Sequence, residues 1–129
     1  MYRVAIYARE NPDRAGRRRL DRQVAALASQ VVRRPGWRHV ATYGDLDLGP
    51  AGVRPALGRL LAEAPGRIDV VVVEGYGRLS AKRHELGGLL GHLHAVGVQT
   101  VVLRPSGGRR LARLVANLAL ADVIGTAAR

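Results

Sequence analysis

Arginine is the side chain that this sequence has in quantity for chemistry. Of 21 basic residues only Lys82 is a lysine, the acidic residues number 10, and the formal charge is +11. Guanidinium groups hold phosphate and carboxylate oxygens through paired N–H donors. A charge of this size points to a polyanionic partner, most often nucleic acid. Abundant Gly, Ala and Arg and the absence of Phe also fit a G+C-rich coding sequence, which would spread arginine evenly along the chain. Position on the fold decides between these explanations.

Other chemistries are thinly represented. Cysteine is absent, which removes disulfides, thiolate nucleophiles and cysteine-ligated zinc. Ser80 lies near Lys82, a serine with a nearby base, but its place ahead of an apolar-periodic segment suits a helix cap better than a nucleophile. Asp45-x-Asp47 sits among Gly and Pro without further oxygen ligands at fixed spacing, so an ordinary turn is expected and not a calcium site. His92 and His94 fall on different faces of a helix and make no metal pair. Gly16, Gly75 and Gly77 form neither a dinucleotide nor a P-loop fingerprint. No cofactor and no metal is expected.

The elements that position these groups follow from hydrophobic pattern. At 129 residues, with 47% hydrophobic and 24% charged residues, the chain suits a single domain spanning 1–129 with no separate DNA-reading module. Val4 to Ala8 reads as a strand, and Leu20, Val24, Leu27 and Val31 mark one face of a helix that Pro35-Gly36 ends. Trp37 to Tyr43 is a second strand and Gly44 to Gly52 a loop. Leu57, Leu60, Leu61 and Ala64 give a short second helix. Ile68 to Val73 has the β-branched run of a strand buried on both faces. Ser80 is the expected N-cap of a third helix carrying Leu86, Leu89, Leu90, Leu93 and Val96, which Gly97 stops. Val98 to Leu103 is the fourth strand. A last helix over 108–129 places Leu111, Leu114, Val115, Leu118 and Ala121 on one stripe. It outlasts one face of a small sheet, so self-association through it is expected. No apolar run reaches the roughly 18–20 residues that span a bilayer, and the N-terminus is too soon interrupted by charge for a secretory signal. A soluble, cytoplasmic, nucleoid-associated protein without membrane contact is expected.

Strand–helix alternation with short connections predicts an α/β fold: three layers, a mostly parallel four-to-five-stranded sheet, helices on both faces and a long C-terminal helix. Sites in such sheets form beyond the carboxyl ends of the strands. The loops leaving those ends, with the first turns after them, hold Arg9, Arg14, Arg17, Arg18, Arg19, Arg54, Arg78, Lys82, Arg83, Arg104, Arg109 and Arg110. Codon bias would not concentrate charge at one edge, so a phosphate-facing edge is the better explanation.

Four motifs in register carry a family resemblance. Val4-Ala5-Ile6-Tyr7-Ala8-Arg9 resembles the opening of the serine recombinases, the resolvase/invertase family. Leu20-Asp21-Arg22-Gln23-Val24-Ala25-Ala26-Leu27 is similar to that family's first helix, and Arg54-Pro55-Ala56-Leu57 to its Arg-Pro helix. Asp69 to Val73 followed by Arg78-Leu79-Ser80 resembles its third strand and active-site loop. The resemblance implies a catalytic domain that cuts DNA with a serine, uses arginines and no metal, and forms a phosphoserine link. It places Arg9, Gln23, Arg54 and Arg78 at phosphate-handling positions.

Departures from the pattern change that expectation. Within Tyr-x-Arg-x-Ser the nucleophile position is Asn11, whose carboxamide has no hydroxyl with which to form a phosphoester. The family's Asp-Arg-Leu-Ser-Arg loop reads Gly77-Arg78-Leu79-Ser80-Ala81, losing an acid and an arginine. Lys82 follows the lost arginine but is turned about 100° from it on a helix. A Glu-Arg pair on the last helix is replaced by Asp122-Val123, and Glu10, Pro12 and Asp13 are atypical. The expectation is a catalytically inactive recombinase-like domain. It would contact DNA backbone through Arg9, Arg14, Arg17, Arg18, Arg19, Arg54, Arg78 and Lys82, or pair as a homodimer or with an active recombinase and regulate it. The alternatives are an active recombinase with an atypical nucleophile such as Ser80, and a structural or oligomerisation module with incidental charge.

Overall fold

A strand buried on both sides organises the molecule. In the computed structural model, which describes residues 1–46 and 54–104, β1 (Tyr2–Glu10) keeps Val4 through Ala8 fully buried. Then follow α1 (Gly16–Val32), β2 (Trp37–Leu46), α2 (Pro55–Glu63), β3 (Val70–Val73), a single 3₁₀ turn (Tyr76–Arg78), α3 (Arg83–Ala95) and β4 (Gln99–Val102). The strands pair in the order β2-β1-β3-β4, all parallel, with helices on both faces of the sheet.

The two faces follow from the period of a strand. Val4 and Ile6 point one way and pack with Leu27 and Val31 of α1. Ala5 and Tyr7 point the other way, into a core with Leu57 and Leu60 of α2 and Leu93 of α3. Crossovers of one hand explain the division: β1 to β2 runs in one direction along the sheet, while the later crossovers run in the other, which moves their helices to the opposite face.

Three departures from the sequence reading stand out. The first helix begins at Gly16, ahead of the apolar stripe, because Arg17, Arg18 and Arg19 are good helix formers that add nothing to that stripe. A Cβ at Gly16 would lie 2.0 Å from the Asn11 carbonyl oxygen, so the close approach of loop to helix admits only glycine. β2 runs through Gly44, Asp45 and Leu46, which pair with β1 as far as Glu10, so Asp45 is a strand residue and not part of a turn. Ser80 does not cap α3. That helix starts at Arg83 with Lys82 as its cap residue, while the Ser80 hydroxyl oxygen accepts the Lys82 N–H at 3.1 Å in a local turn that competes with capping.

At its other end α3 stops as expected. Gly97 has φ +83°, Val98 N–H donates to the Leu93 carbonyl at 2.8 Å and Gly97 N–H to that of His94 at 3.0 Å, a Schellman closure. Among the described residues no helix is long and apolar enough to cross a membrane. The expected helix over 108–129, with the dimer contact assigned to it, lies outside the described residues, as do Asp47, Arg109 and Arg110.

Candidate functional site at the carboxyl edge of the sheet

Strand order reverses between β1 and β3, and the loops leaving these two neighbours diverge. Such a switch point opens a crevice at the carboxyl ends of the strands. Arg9 and Glu10 reach it on β1, and Glu74 and Arg78 reach it just after β3.

Gln23 fastens the crevice. It projects from α1, is 4% exposed, and makes a reciprocal pair with one residue's backbone. Its Oε1 accepts the Arg9 N–H at 3.1 Å and its Nε2 donates to the Arg9 carbonyl at 3.1 Å. Arg78 Nη1 donates to the same carbonyl at 3.0 Å. The end of β1, the middle of α1 and the turn after β3 therefore meet at one residue.

Glu10 lies beside this junction, its side chain 11% exposed between two guanidiniums. Arg19 Nε is 3.1 Å from Oε2, and Arg78 Nη1 is 3.2 Å from Oε1. Both arginines are clamped from the far side as well, Arg19 Nη2 by Asp13 at 2.7 Å and Arg78 Nη2 by Glu74 at 2.9 Å. The hydrogen bond from Arg19 holds the Asp13 carboxyl below the usual carboxylate range.

Arg54 enters from the start of α2. Its Nη1 donates to the Leu79 carbonyl and lies 3.5 Å from that of Arg78, while Nη2 pairs with Glu85 at 2.8 Å. Arg54 thus braces the turn that carries Arg78. It stays in place because α2 is anchored by Asp45, which is 3% exposed. The Asp45 carboxylate accepts the Ala56 N–H at 2.8 Å, the Leu57 N–H at 2.9 Å and the Tyr7 hydroxyl at 2.9 Å. Pro55 needs no N–H at the first helical position, and the residue before it, Arg54, has no side-chain oxygen with which to cap. Asp45 supplies the missing cap from β2, and its negative charge suits the helix N-terminus. Burial, then the adjacent Asp45 carboxylate, pushes the Tyr7 phenol well above its ordinary range.

Arg9, Arg19, Gln23, Arg54 and Arg78 are thus brought together. Arg14, Arg17 and Arg18 are exposed at the start of α1, where Arg17 pairs with Asp21 at 3.3 Å. Lys82 is exposed at the start of α3. Asn11 is exposed just past β1. Ser80 is 5% exposed, its hydroxyl engaged with the Lys82 backbone. Among the described residues no group of His, Cys, Asp and Glu is placed to hold a metal ion. Sequence reasoning gave no site role to the carboxylates Glu10, Asp13, Asp45, Glu74 and Glu85. For Asp45 a signal existed: an acid ending a strand, ahead of an Arg-Pro helix that cannot cap itself.

The family described as Resolvase, N terminal domain, has a model that matches residues 4–126. Solved structures match as well. The C-terminal catalytic domain of ISC1926 TnpA, an IS607-like serine recombinase, is 23% identical with a TM-score of 0.67, covering 95% of this chain and 77% of that one. The N-terminal catalytic domain of TP901-1 integrase is 23% identical with a TM-score of 0.65, covering 92% of both chains. A resolvase family site-specific recombinase from Streptococcus pneumoniae is 13% identical with a TM-score of 0.68, covering 95% of this chain and 88% of that one. At these identities the similarity is one of fold. No curated protein matches this chain.

Proposed function

The chain belongs to the resolvase N-terminal domain family, and from that premise we propose that it is a recombinase-like domain that holds DNA phosphates without cutting the strand. One observation carries the reading. Where the resemblance puts a nucleophilic serine, the residue presented at the end of β1 is the carboxamide of Asn11, exposed and without a hydroxyl. Around it the phosphate-handling residues Arg9, Gln23, Arg54 and Arg78 are kept.

Arg14, Arg17 and Arg18 at the start of α1 and Lys82 at the start of α3 make the exposed part of the surface. Both helices begin at the carboxyl edge of adjacent strands, so these cations share one side of the molecule. Contacts of this kind neutralise backbone phosphates and carry no sequence information, so binding is weak and tolerant of sequence. The domain acts in site-specific recombination by occupying DNA or by pairing, as a homodimer or with an active recombinase, and modulating strand exchange. A DNA partner implies an intracellular, nucleoid-associated location.

Cleavage by Ser80 is disfavoured by its burial and by its hydrogen bonds to the Lys82 backbone. The test is incubation with nicked suicide duplexes, followed by denaturing electrophoresis. The wild-type protein is expected to form no covalent adduct. An adduct that Ser80→Ala abolishes would overturn the proposal.

A further inference from the structure

The arginine pair at the centre of the crevice is already occupied. Two guanidiniums, Arg19 and Arg78, face three carboxylates, Glu10, Asp13 and Glu74, so this group as it stands carries no net positive charge. Glu10 is the shared member. Its two oxygens meet Arg19 Nε at 3.1 Å, Arg78 Nη1 at 3.2 Å and Gln23 Nε2 at 3.4 Å. An oxyanion held by donors from two sides is the arrangement in which arginines receive a phosphate. Here the oxyanion belongs to the chain itself.

We propose that Glu10 is a built-in competitor for phosphate: Arg19, Gln23 and Arg78 form an oxyanion cradle that a DNA phosphodiester enters only by displacing the Glu10 carboxylate. The geometry permits the exchange. The Glu10 backbone is fixed by pairing with Leu46 at the end of β2, but its side chain has three rotatable bonds. The Glu10 side chain is 11% exposed, whereas those of Arg19 and Arg78 are 35% and 32% exposed, so solvent reaches the donors more readily than the acceptor. A phosphate arriving from solvent meets the guanidiniums first and the carboxylate behind them. The exchange keeps every donor satisfied and moves one negative charge out as another moves in. Glu10 therefore tunes down phosphate affinity at this point, leaving the exposed cations to make the first contacts. The inference deepens the DNA-binding reading and rests on it for the identity of the phosphate.

Glu10→Gln keeps the size and one acceptor while removing the charge, and Glu63→Gln, at the far end of α2, removes a charge away from the cradle. Removing a like charge about 5 Å from a bound phosphate, at an effective dielectric between that of protein and water, strengthens binding by about tenfold. Two probes separate the claims. In thermal unfolding with inorganic phosphate against chloride at matched ionic strength, Glu10→Gln is expected to show a larger phosphate-dependent rise in Tm than wild type and Glu63→Gln, reached at about tenfold lower phosphate. In fluorescence titration of a 20-base-pair duplex (a length of about two helical turns), Glu10→Gln is expected to bind about tenfold more tightly than both. Equal behaviour of the Glu10 and Glu63 variants with inorganic phosphate overturns the cradle, whatever the duplex does. A phosphate effect enlarged only in Glu10→Gln with no duplex binding by any variant keeps the cradle and overturns the DNA reading.

Discussion

Replacing Asp45 by alanine should loosen α2 and the Arg54 brace together, and the cost can be worked from three hydrogen bonds. The carboxylate is 3% exposed and accepts from Ala56 N–H, Leu57 N–H and the Tyr7 hydroxyl. Loss of a helix cap costs about 1 kcal/mol, and each buried donor left without a partner costs about 1–3 kcal/mol before water or relaxation recovers part of it. Asp45→Ala should therefore destabilise the domain by about 4 kcal/mol. For a domain of this size that lowers Tm by about 15 °C. Asp45→Asn keeps one acceptor but turns an NH2 group toward a donor, and should cost about half as much. Tyr7→Phe removes one donor and leaves two, for about 1 kcal/mol. Because Tyr7 and Asp45 share a bond, the double substitution Tyr7→Phe/Asp45→Ala should fall short of the sum by about 1 kcal/mol. Urea denaturation of the four variants measures all of these. A loss below about 0.5 kcal/mol for Asp45→Ala, the range of ordinary surface substitutions, would refute the capping role. Strict additivity of the pair would refute the shared bond.

Three further outcomes are expected. Gly16→Ala forces a Cβ to within 2.0 Å of the Asn11 carbonyl oxygen. It should cost about 2 kcal/mol by overpacking, with the backbone shift visible in Asn11 amide chemical shifts. Burial and then the hydrogen bond to Glu63, at 2.6 Å, push the Tyr43 phenol up from 10.0 to about 12. The folded state favours the neutral phenol, so its contribution to stability is full below pH 10 and lost as pH rises toward about 12. Tyr43→Phe should be less stable at neutral pH and show a shallower loss across that window, although Tyr7 contributes in the same sense. Arg14→Ala and Arg18→Ala should weaken duplex binding about equally for unrelated sequences and reduce the salt slope by about 0.9 each. Retention of the full slope would remove those residues from the interface.

Elements whose pattern depends on neighbouring residues are legible in the sequence. The β-branched run Val70 to Val73 reads as a strand buried on both faces, and Gly97, just past the last apolar position of its segment, reads as a helix stop. The start of α1 is hidden because Arg17, Arg18 and Arg19 carry no apolar period. Ser80 reads as a cap because serine serves a local turn and a helix start with the same hydroxyl. At the site, the family motifs single out Arg9, Gln23, Arg54 and Arg78, which do converge. They are silent about the partners of those arginines. Tyr7 and Asp45 are 38 residues apart, and Arg78 and the Arg9 carbonyl 69 apart, so their contacts exist only once strand order is known. Net charge misleads in a related way, since +11 describes the chain while the centre of the crevice is internally neutralised.

The most direct test of a domain that holds DNA backbone is the salt dependence of duplex binding by the wild-type chain, with its oligomeric state read by light scattering on the same sample. The logarithm of the binding constant should fall linearly with the logarithm of salt concentration, at about 0.9 per phosphate contacted, and alike for unrelated sequences. Absence of binding at the lowest salt would contradict the account and leave the arginines of this edge to structural pairing alone.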